Sequence, residues 1–154
     1  MFAVALVAGC SSQQQQVEDT AGADTGAVDT STGSDTGSAS WDSLAAQYGN
    51  VVYFEFDSYA ILPASEVVLG AYSELLKSTN DNAVLEGHAD ERGTREYNMA
   101  LGEKRGNAAR DYLTLQGVNA SQLEVVSYGE ERPAVAESNE AAYSKNRRVE
   151  IIKQ

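Results

Sequence analysis

Four short segments of the chain carry the apolar patterns that predict β-strands. β-Branched, aromatic and leucine side chains dominate these segments, and such residues favour the extended conformation. The last segment alternates polar and apolar side chains cleanly. The four predicted strands are residues 51–56, 83–88, 123–128 and 147–152.

Helical patterns separate the predicted strands. Apolar residues between the first two strands recur at the spacing of one helical face, and Pro63 suits the first turn of that helix. The second helix is predicted over residues 94–116, because Gly117 follows as a good helix-ending residue. A short third helix is predicted over residues 139–145.

The resulting order of elements, β-α-β-α-β-(α)-β, predicts the fold class. Because helices that alternate with strands pack on the sheet, we expect a small α/β sandwich with its helices on one four-stranded sheet. Order is expected to begin near Trp41, so residues 41–154 form the predicted domain. A domain of about 110 residues can bury one modest core.

The region before Trp41 has a different composition. Residues 10–40 are rich in small and polar side chains and contain no aromatic residue, so they cannot bury enough surface to offset the entropy of ordering. We expect this region to be a disordered, acidic tether. Residues 1–9 are apolar and small, and they are predicted to be part of a lipoprotein signal segment.

Cys10 is the candidate lipidation site. It is the only cysteine, and the segment Leu6–Cys10 resembles a bacterial lipobox, where cleavage precedes a cysteine that is then lipidated. No basic residue precedes the apolar run, and the run is short for a signal peptide. The alternative is a chance cysteine in an untidy N-terminus.

The charge of the chain limits its partners. The sequence contains 23 acidic and 11 basic residues, with a formal net charge of −12. Binding to phosphate backbones needs a basic face. We therefore expect no nucleic-acid partner.

The turn between the second strand and the second helix carries the strongest functional signal. Residues 87–98 contain five charged side chains and the single histidine, and such turns present side chains and backbone N–H groups to ligands. Farther along, Arg105 interrupts the apolar face of the helix, where an unpaired guanidinium is costly. Two interpretations stay open. Asp90 and Arg105 form an ion pair that fixes the turn, or they bind the ammonium and the carboxylate of one zwitterionic ligand.

Asp57, Asn98 and Gly102 are further candidates near this turn. Asp57 ends the first strand, where it either caps a turn or joins the site, since the ends of parallel strands lie close together. Asn98 and Gly102 share a helical line with Arg105. Gly102 admits a ligand or a close-packed backbone, or it has no role.

The sequence gives no support for a metal site, a cofactor or catalysis. His88 is the only histidine and has no cysteine nearby, so a metal site lacks ligands. Glu55, Glu86 and Glu91 offer carboxylates for glycoside hydrolysis, but nothing marks one as a buried acid and another as a base. We expect no enzyme.

Four motifs in order resemble the OmpA-like domain family, and within it the peptidoglycan-associated lipoproteins (Pal). The motifs are residues 52–57, 87–98, 128–133 and 146–150. The resemblance implies an OmpA-like fold that binds peptidoglycan stem peptides non-covalently through meso-diaminopimelate. One departure is the segment Lys104–Gly106, where the wider family usually has two arginines and an alanine.

The resemblance also implies roles for individual residues. Asp90 corresponds to the residue that binds the ammonium of diaminopimelate, and Arg105 to the one that binds its carboxylate. Residues matching the rest of the pocket are Phe56, Asp57, Asn98, Leu101 and Arg147. Residues matching a contact surface for the periplasmic protein TolB are His88, Ala89, Glu91 and Arg92.

The hypothesis that follows is an outer-membrane lipoprotein with its domain in the periplasm. It would tether the outer membrane to the cell wall within the Tol-Pal system, with a role in envelope integrity and cell division. Two alternatives remain open. One is a stator or secretion-system subunit, which usually carries a transmembrane helix, and the other is an enzyme that acts on the wall.

Overall fold

A computed structural model describes residues 40–154. The predicted signal segment, Cys10 and the predicted tether over residues 10–40 lie outside the described residues except at Ser40. The helices are α1 (Trp41–Tyr48), α2 (Pro63–Thr79), α3 (Arg95–Leu115) and α4 (Glu140–Asn146). The strands are β1 (Val51–Tyr53), β2 (Ala83–His88), β3 (Leu123–Gly129) and β4 (Arg148–Lys153), and a 3₁₀ turn, Ala120–Gln122, precedes β3.

The four strands form one mixed sheet with the order β1-β4-β2-β3. Strand β4 is antiparallel to both of its neighbours, β1 and β2, while β2 and β3 are parallel. Because β4 runs opposite to β1 and β2, those two strands point in the same direction. Their carboxyl ends therefore lie at the same edge of the sheet.

The core lies between the sheet and the helices α2 and α3. Leu69, Leu76 and Leu113 of the helices are fully buried against Leu85 and Ile151 of the strands. The fold class predicted from the sequence is confirmed, with helices on one four-stranded sheet. No helix in residues 40–154 is long and apolar enough to cross a membrane.

Local signals explain the bounds of α3. The Thr94 side chain accepts a hydrogen bond from the Tyr97 backbone N–H and caps the first turn. At the other end, Gly117 adopts φ +97°, a conformation that other residues reach only with strain. These two residues stop the helix within one residue of each predicted end.

Two elements differ from the sequence predictions. The first strand ends at Tyr53, where a strand to Phe56 was expected, because one further backbone bond, from Phe54 to Arg147, closes the pairing before the chain turns away. Helix α1 was not predicted. It packs through Leu44 on the core and through Trp41 on Tyr72, with ring centroids 5.4 Å apart.

A close approach of two glycines sets the distance between α3 and β2. A Cβ atom on Gly102 would lie 2.8 Å from the backbone oxygen of Gly87. The structure thus supports the interpretation in which Gly102 lets the backbones of α3 and β2 pack closely. The contact brings the middle of α3 near the end of β2, where Arg105 reaches the His88 carbonyl.

Candidate functional site

A cavity of about 220 Å³ lies at the edge where β1 and β2 end, against the first half of α3. The loop after β1, the turn after β2 and the helix supply its walls. Its lining residues are Phe56, Asp57, Asp90, Arg92, Gly93, Tyr97, Asn98, Leu101 and Arg105. Six of the seven residues predicted to bind the ligand are therefore brought together in one place.

The loop after β1 shapes one wall of the cavity. Asp57 has φ 52°, and this left-handed conformation turns the chain over α3. The Tyr97 hydroxyl donates a hydrogen bond to the Asp57 carboxylate, which joins this loop to the helix. Phe56 remains 57% exposed at the rim of the cavity, so an apolar surface is open there.

Arg105 is the largest fully buried side chain of the domain, at 0% exposure. Its Nε donates to Ser58 O at 2.9 Å, and its two terminal nitrogens donate to His88 O at 2.8 Å and Glu55 O at 3.1 Å. A guanidinium has five N–H donors. Three are used by these carbonyls, which leaves two at a group that lines the cavity.

No carboxylate of residues 40–154 forms a salt bridge with Arg105. The ion pair between Asp90 and Arg105, left open by the sequence, is therefore not what holds the turn. Burial lowers the pKa of Arg105 to about 10, and the nearby charge of Asp90 offsets only part of that effect. The site thus contains a buried cation whose charge is incompletely compensated.

Asp90 pairs with two other arginines. Arg92 binds it in bidentate fashion, with Nε 3.1 Å from Oδ1 and a terminal nitrogen 2.7 Å from Oδ2. Arg147 approaches Oδ2 at 3.4 Å. Burial alone would raise the pKa of Asp90, but the hydrogen bonds from Arg92 and Arg147 outweigh it and the pKa lies below its ordinary value. The carboxylate is ionised at neutral pH.

Arg147 does not line the cavity, although it was predicted to bind the ligand. Its Nε donates to Phe54 O at 3.1 Å, and a terminal nitrogen lies 2.9 Å from Glu140 Oε1. Through these bonds and its contact with Asp90, it joins β1, the turn after β2 and α4. The structure places it behind the cavity wall.

Arg92 was predicted to contact a partner protein, and the structure also gives it a place in the cavity. Its guanidinium lies 4.1 Å from the Phe56 ring centroid and 4.5 Å from that of Tyr143. Cations over aromatic faces are attracted by the ring electrons. A terminal nitrogen also lies 3.2 Å from Glu140 Oε2. This side chain closes the cavity on the Asp90 side.

Asn98 and Leu101 form the floor beside α3. Asn98 is buried at 1% exposure and donates to the Glu130 carboxylate, which ties the helix to the segment after β3. Leu101 is 8% exposed and gives the floor its apolar part. A ligand with both charged ends and methylene groups suits such a mixed lining.

The other predicted partner contacts differ in exposure. His88 and Ala89 are buried, at 1% and 2% exposure, whereas Glu91 is exposed and accepts a hydrogen bond from the Tyr143 hydroxyl at 2.9 Å. The His88 ring stacks on Tyr128 with centroids 5.5 Å apart. Only Glu91 and Arg92 of these four residues present side chains at the surface.

Tyr97 and Gly93 belong to the cavity wall and were not selected from the sequence. Tyr97 stands in the first turn of α3, and its side chain is 49% exposed. The available signal was that Tyr97, an aromatic residue, directly precedes the candidate ligand-binding residue Asn98. The sequence could not separate a core aromatic from one that lines a cavity.

The sequence matches the OmpA family over residues 53–147. It is 45% identical over 161 residues to the peptidoglycan-associated lipoprotein of Pseudomonas putida, covering 99% of this chain and 92% of that protein. It is 47% identical over 146 residues to the peptidoglycan-associated lipoprotein of Haemophilus influenzae, covering 94% of this chain and 88% of that one.

Solved structures share the fold. The crystal structure of the peptidoglycan-associated lipoprotein from Burkholderia pseudomallei has a TM-score of 0.67 at 42% identity, covering 68% of this chain and 90% of that chain. The C-terminal domain of Helicobacter pylori MotB has a TM-score of 0.62 at 23% identity, covering 68% of this chain and 83% of that one. At that identity the second likeness concerns the fold alone.

Proposed function

The chain belongs to the OmpA family, and from this premise we propose that it binds peptidoglycan non-covalently and tethers the outer membrane to the cell wall. The family is non-enzymatic, in agreement with the prediction that this chain catalyses no reaction. The name of the relatives, peptidoglycan-associated lipoprotein, supports both the ligand and the lipid anchor.

One observation carries the proposal: Arg105 has donors to spare in the same cavity as the Asp90 carboxylate. A carboxylate that accepts two N–H bonds from a guanidinium forms a strong, directional pair. An ammonium on the same carbon would then face Asp90. The side-chain end of meso-diaminopimelate carries this pair of charges, and we propose it as the group that is bound.

The bound ammonium must share Asp90 with the cations already there. The Arg92 side chain is 34% exposed and that of Arg147 is 6% exposed. Arg92 is therefore the side chain that moves aside for the ligand. Arg147 stays in place and keeps Asp90 oriented.

The remaining walls suit the rest of the diaminopimelate side chain. Phe56, Tyr97 and Leu101 offer apolar surface to its methylene groups. Burying those groups adds affinity at roughly 25 cal/mol per Å² of apolar surface. The charged ends give the orientation, and the apolar walls favour a ligand of the right length.

The anchor is proposed to be a lipid on Cys10, with residues 10–40 as the tether to the periplasmic domain. Modest affinity for each site is enough, because many copies acting on one polymer add avidity.

The proposal includes a TolB-like partner and a role in the Tol-Pal system, with consequences for envelope integrity and cell division. The family resemblance supports this part, and the exposed Glu91 and the partly exposed Arg92 supply a surface for the contact. Charge reversal at Glu91 should weaken capture of purified TolB and leave peptidoglycan binding unchanged. Unchanged capture would remove this turn from the partner surface.

Co-sedimentation with insoluble peptidoglycan tests the ligand. The wild-type domain should pellet, and Asp90→Asn and Arg105→Lys should remain in solution. Arg110→Lys is the matched control, since Arg110 lies on α3 outside the cavity and its nearest acid is Asp111 at 3.9 Å. If all four folded proteins remain in solution, peptidoglycan is not the ligand.

A further inference from the structure

A second cavity lies along the same side of α3. It encloses about 250 Å³ and is lined by Tyr59, Lys104, Asn107, Ala108 and Asp111. The loop after β1 and helix α3 form the walls of both cavities, since Phe56 and Asp57 line the first and Tyr59 the second. The two cavities therefore share the same two walls.

The bond from Arg105 Nε to Ser58 O, at 2.9 Å, fixes the loop on the helix between the two cavities. The spacing of the cavities along α3 follows from helix geometry. Leu101 lines the first and Ala108 the second, and at about 1.5 Å of rise per residue they are about 10 Å apart.

The second cavity contains one cation, Lys104. Its amine lies 5.7 Å from the Tyr59 ring centroid, and no carboxylate of the described domain pairs with it. The acid in this cavity, Asp111, lies 3.9 Å from Arg110 instead. The Tyr59 ring is 53% exposed and offers a flat apolar surface next to the amine.

We propose that this cavity is a second subsite, in which Lys104 binds another carboxylate of the same peptide while the Tyr59 ring packs against the peptide chain. The inference rests on the proposed function, because the first cavity must hold the zwitterionic end of the ligand. The ligand class is then a peptide that carries a second anionic group beyond its zwitterion, within reach of the neighbouring cavity. A free C-terminal carboxylate one residue beyond diaminopimelate meets this description.

Isothermal titration with three probes tests the subsite on the full-length chain. The first probe is free meso-diaminopimelate, which fills only the first cavity. The second is a stem tetrapeptide with meso-diaminopimelate as its third residue and a free C-terminal carboxylate. The third is the same tetrapeptide with that carboxylate amidated.

The wild-type chain should bind the free-acid tetrapeptide about two- to fivefold more tightly than the amidated one, the range expected for an exposed ion pair. Lys104→Gln should remove this difference and leave the affinity for free meso-diaminopimelate unchanged. Lys77→Gln is the matched control, because Lys77 pairs with Glu74 on α2 and should change no affinity.

Two results would contradict the second subsite, and only one of them would also contradict the proposed function. If Lys104→Gln keeps the preference for the free acid, or the wild type shows none, the subsite is wrong while the first cavity stands. If the wild type binds none of the three probes, the proposed function is wrong as well. Each variant changes only an exposed side chain, and circular dichroism checks that it is folded.

Discussion

Arg105 and Arg147 are both buried at the same edge of the sheet, but their surroundings differ. Arg147 lies against two carboxylates, Asp90 at 3.4 Å and Glu140 at 2.9 Å. Arg105 donates only to backbone carbonyls. A buried charge without an opposite charge is costly to keep. The difference assigns Arg147 to holding the site together, and it supports the proposal that Arg105 binds an anion from outside.

The largest effect on stability is expected from Arg147→Met. The change leaves Phe54 O without its donor and takes one cation from the buried Asp90. Removing one partner of a buried pair costs about 3–5 kcal/mol, and urea unfolding should show a loss near the lower end, since Arg92 still pairs with Asp90. Arg110→Met, on the outer part of α3, should change stability by less than about 0.5 kcal/mol. Equal losses in the two variants would contradict the structural role of Arg147.

Arg105→Lys should affect binding most. Lysine keeps the charge but cannot donate two parallel N–H bonds to a carboxylate. With each such bond worth about 1.5–3 kcal/mol, the loss of one should weaken muropeptide binding at least about tenfold. Titration calorimetry gives the affinity, and a parallel melting curve sets a temperature at which the variant is folded. A folded variant with wild-type affinity would assign Arg105 to structure alone.

His88 is another buried basic side chain, but unlike the two arginines it is uncharged at neutral pH. Burial and the charge of Arg148 lower the pKa of His88 to about 4, while Glu150 acts in the opposite direction. An unfolded histidine titrates near 6.5, so between these pH values the unfolded chain binds a proton that the folded chain does not. Stability should therefore fall as the pH drops from 6.5 towards 4.

The size of that loss follows from the same pKa values. Between pH 7.5 and pH 5 it amounts to about 2 kcal/mol. His88→Phe keeps a flat ring against Tyr128 and removes the titrating group. Urea unfolding at both pH values should show a smaller pH dependence in this variant, by about that amount. The same pH dependence in both proteins would show that His88 titrates normally in the folded state.

The smallest effect is expected from Arg92→Gln. Because Arg92 forms a bidentate pair with Asp90, its removal should strengthen muropeptide binding by about two- to fivefold, the range of a partly exposed pair. Competition by fluorescence polarisation resolves such a change. Weaker binding would mean that Arg92 orients Asp90 for the ligand and does not compete with it.

The sequence predicted the parts of the fold that local signals determine. Strand β2 was predicted with the bounds that the structure has, and α3 within one residue of each end, because Thr94 and Gly117 mark that helix. Helix α1 was missed because its eight residues have little intrinsic helix stability. Packing of Trp41 and Leu44 on the rest of the domain holds it.

The candidate site was predicted as a set of residues but not as a set of contacts. The structure places both Asp90 and Arg105 in the cavity wall, and the ion pair that the sequence left open as one interpretation is not formed between them. The carbonyls that bind Arg105 come from segments 17 to 50 residues away in sequence. Local periodicity carries no information about such distant partners.

The most direct test of Arg105 as the ligand's anion site is a double-mutant cycle by titration calorimetry. Wild type and Arg105→Lys are each titrated with a muropeptide whose diaminopimelate side-chain carboxylate is free or amidated. Amidation should weaken binding to the wild type by at least about a hundredfold and weaken binding to the variant much less. An equal effect of amidation on both proteins would contradict the account, because the carboxylate would then bind somewhere other than Arg105.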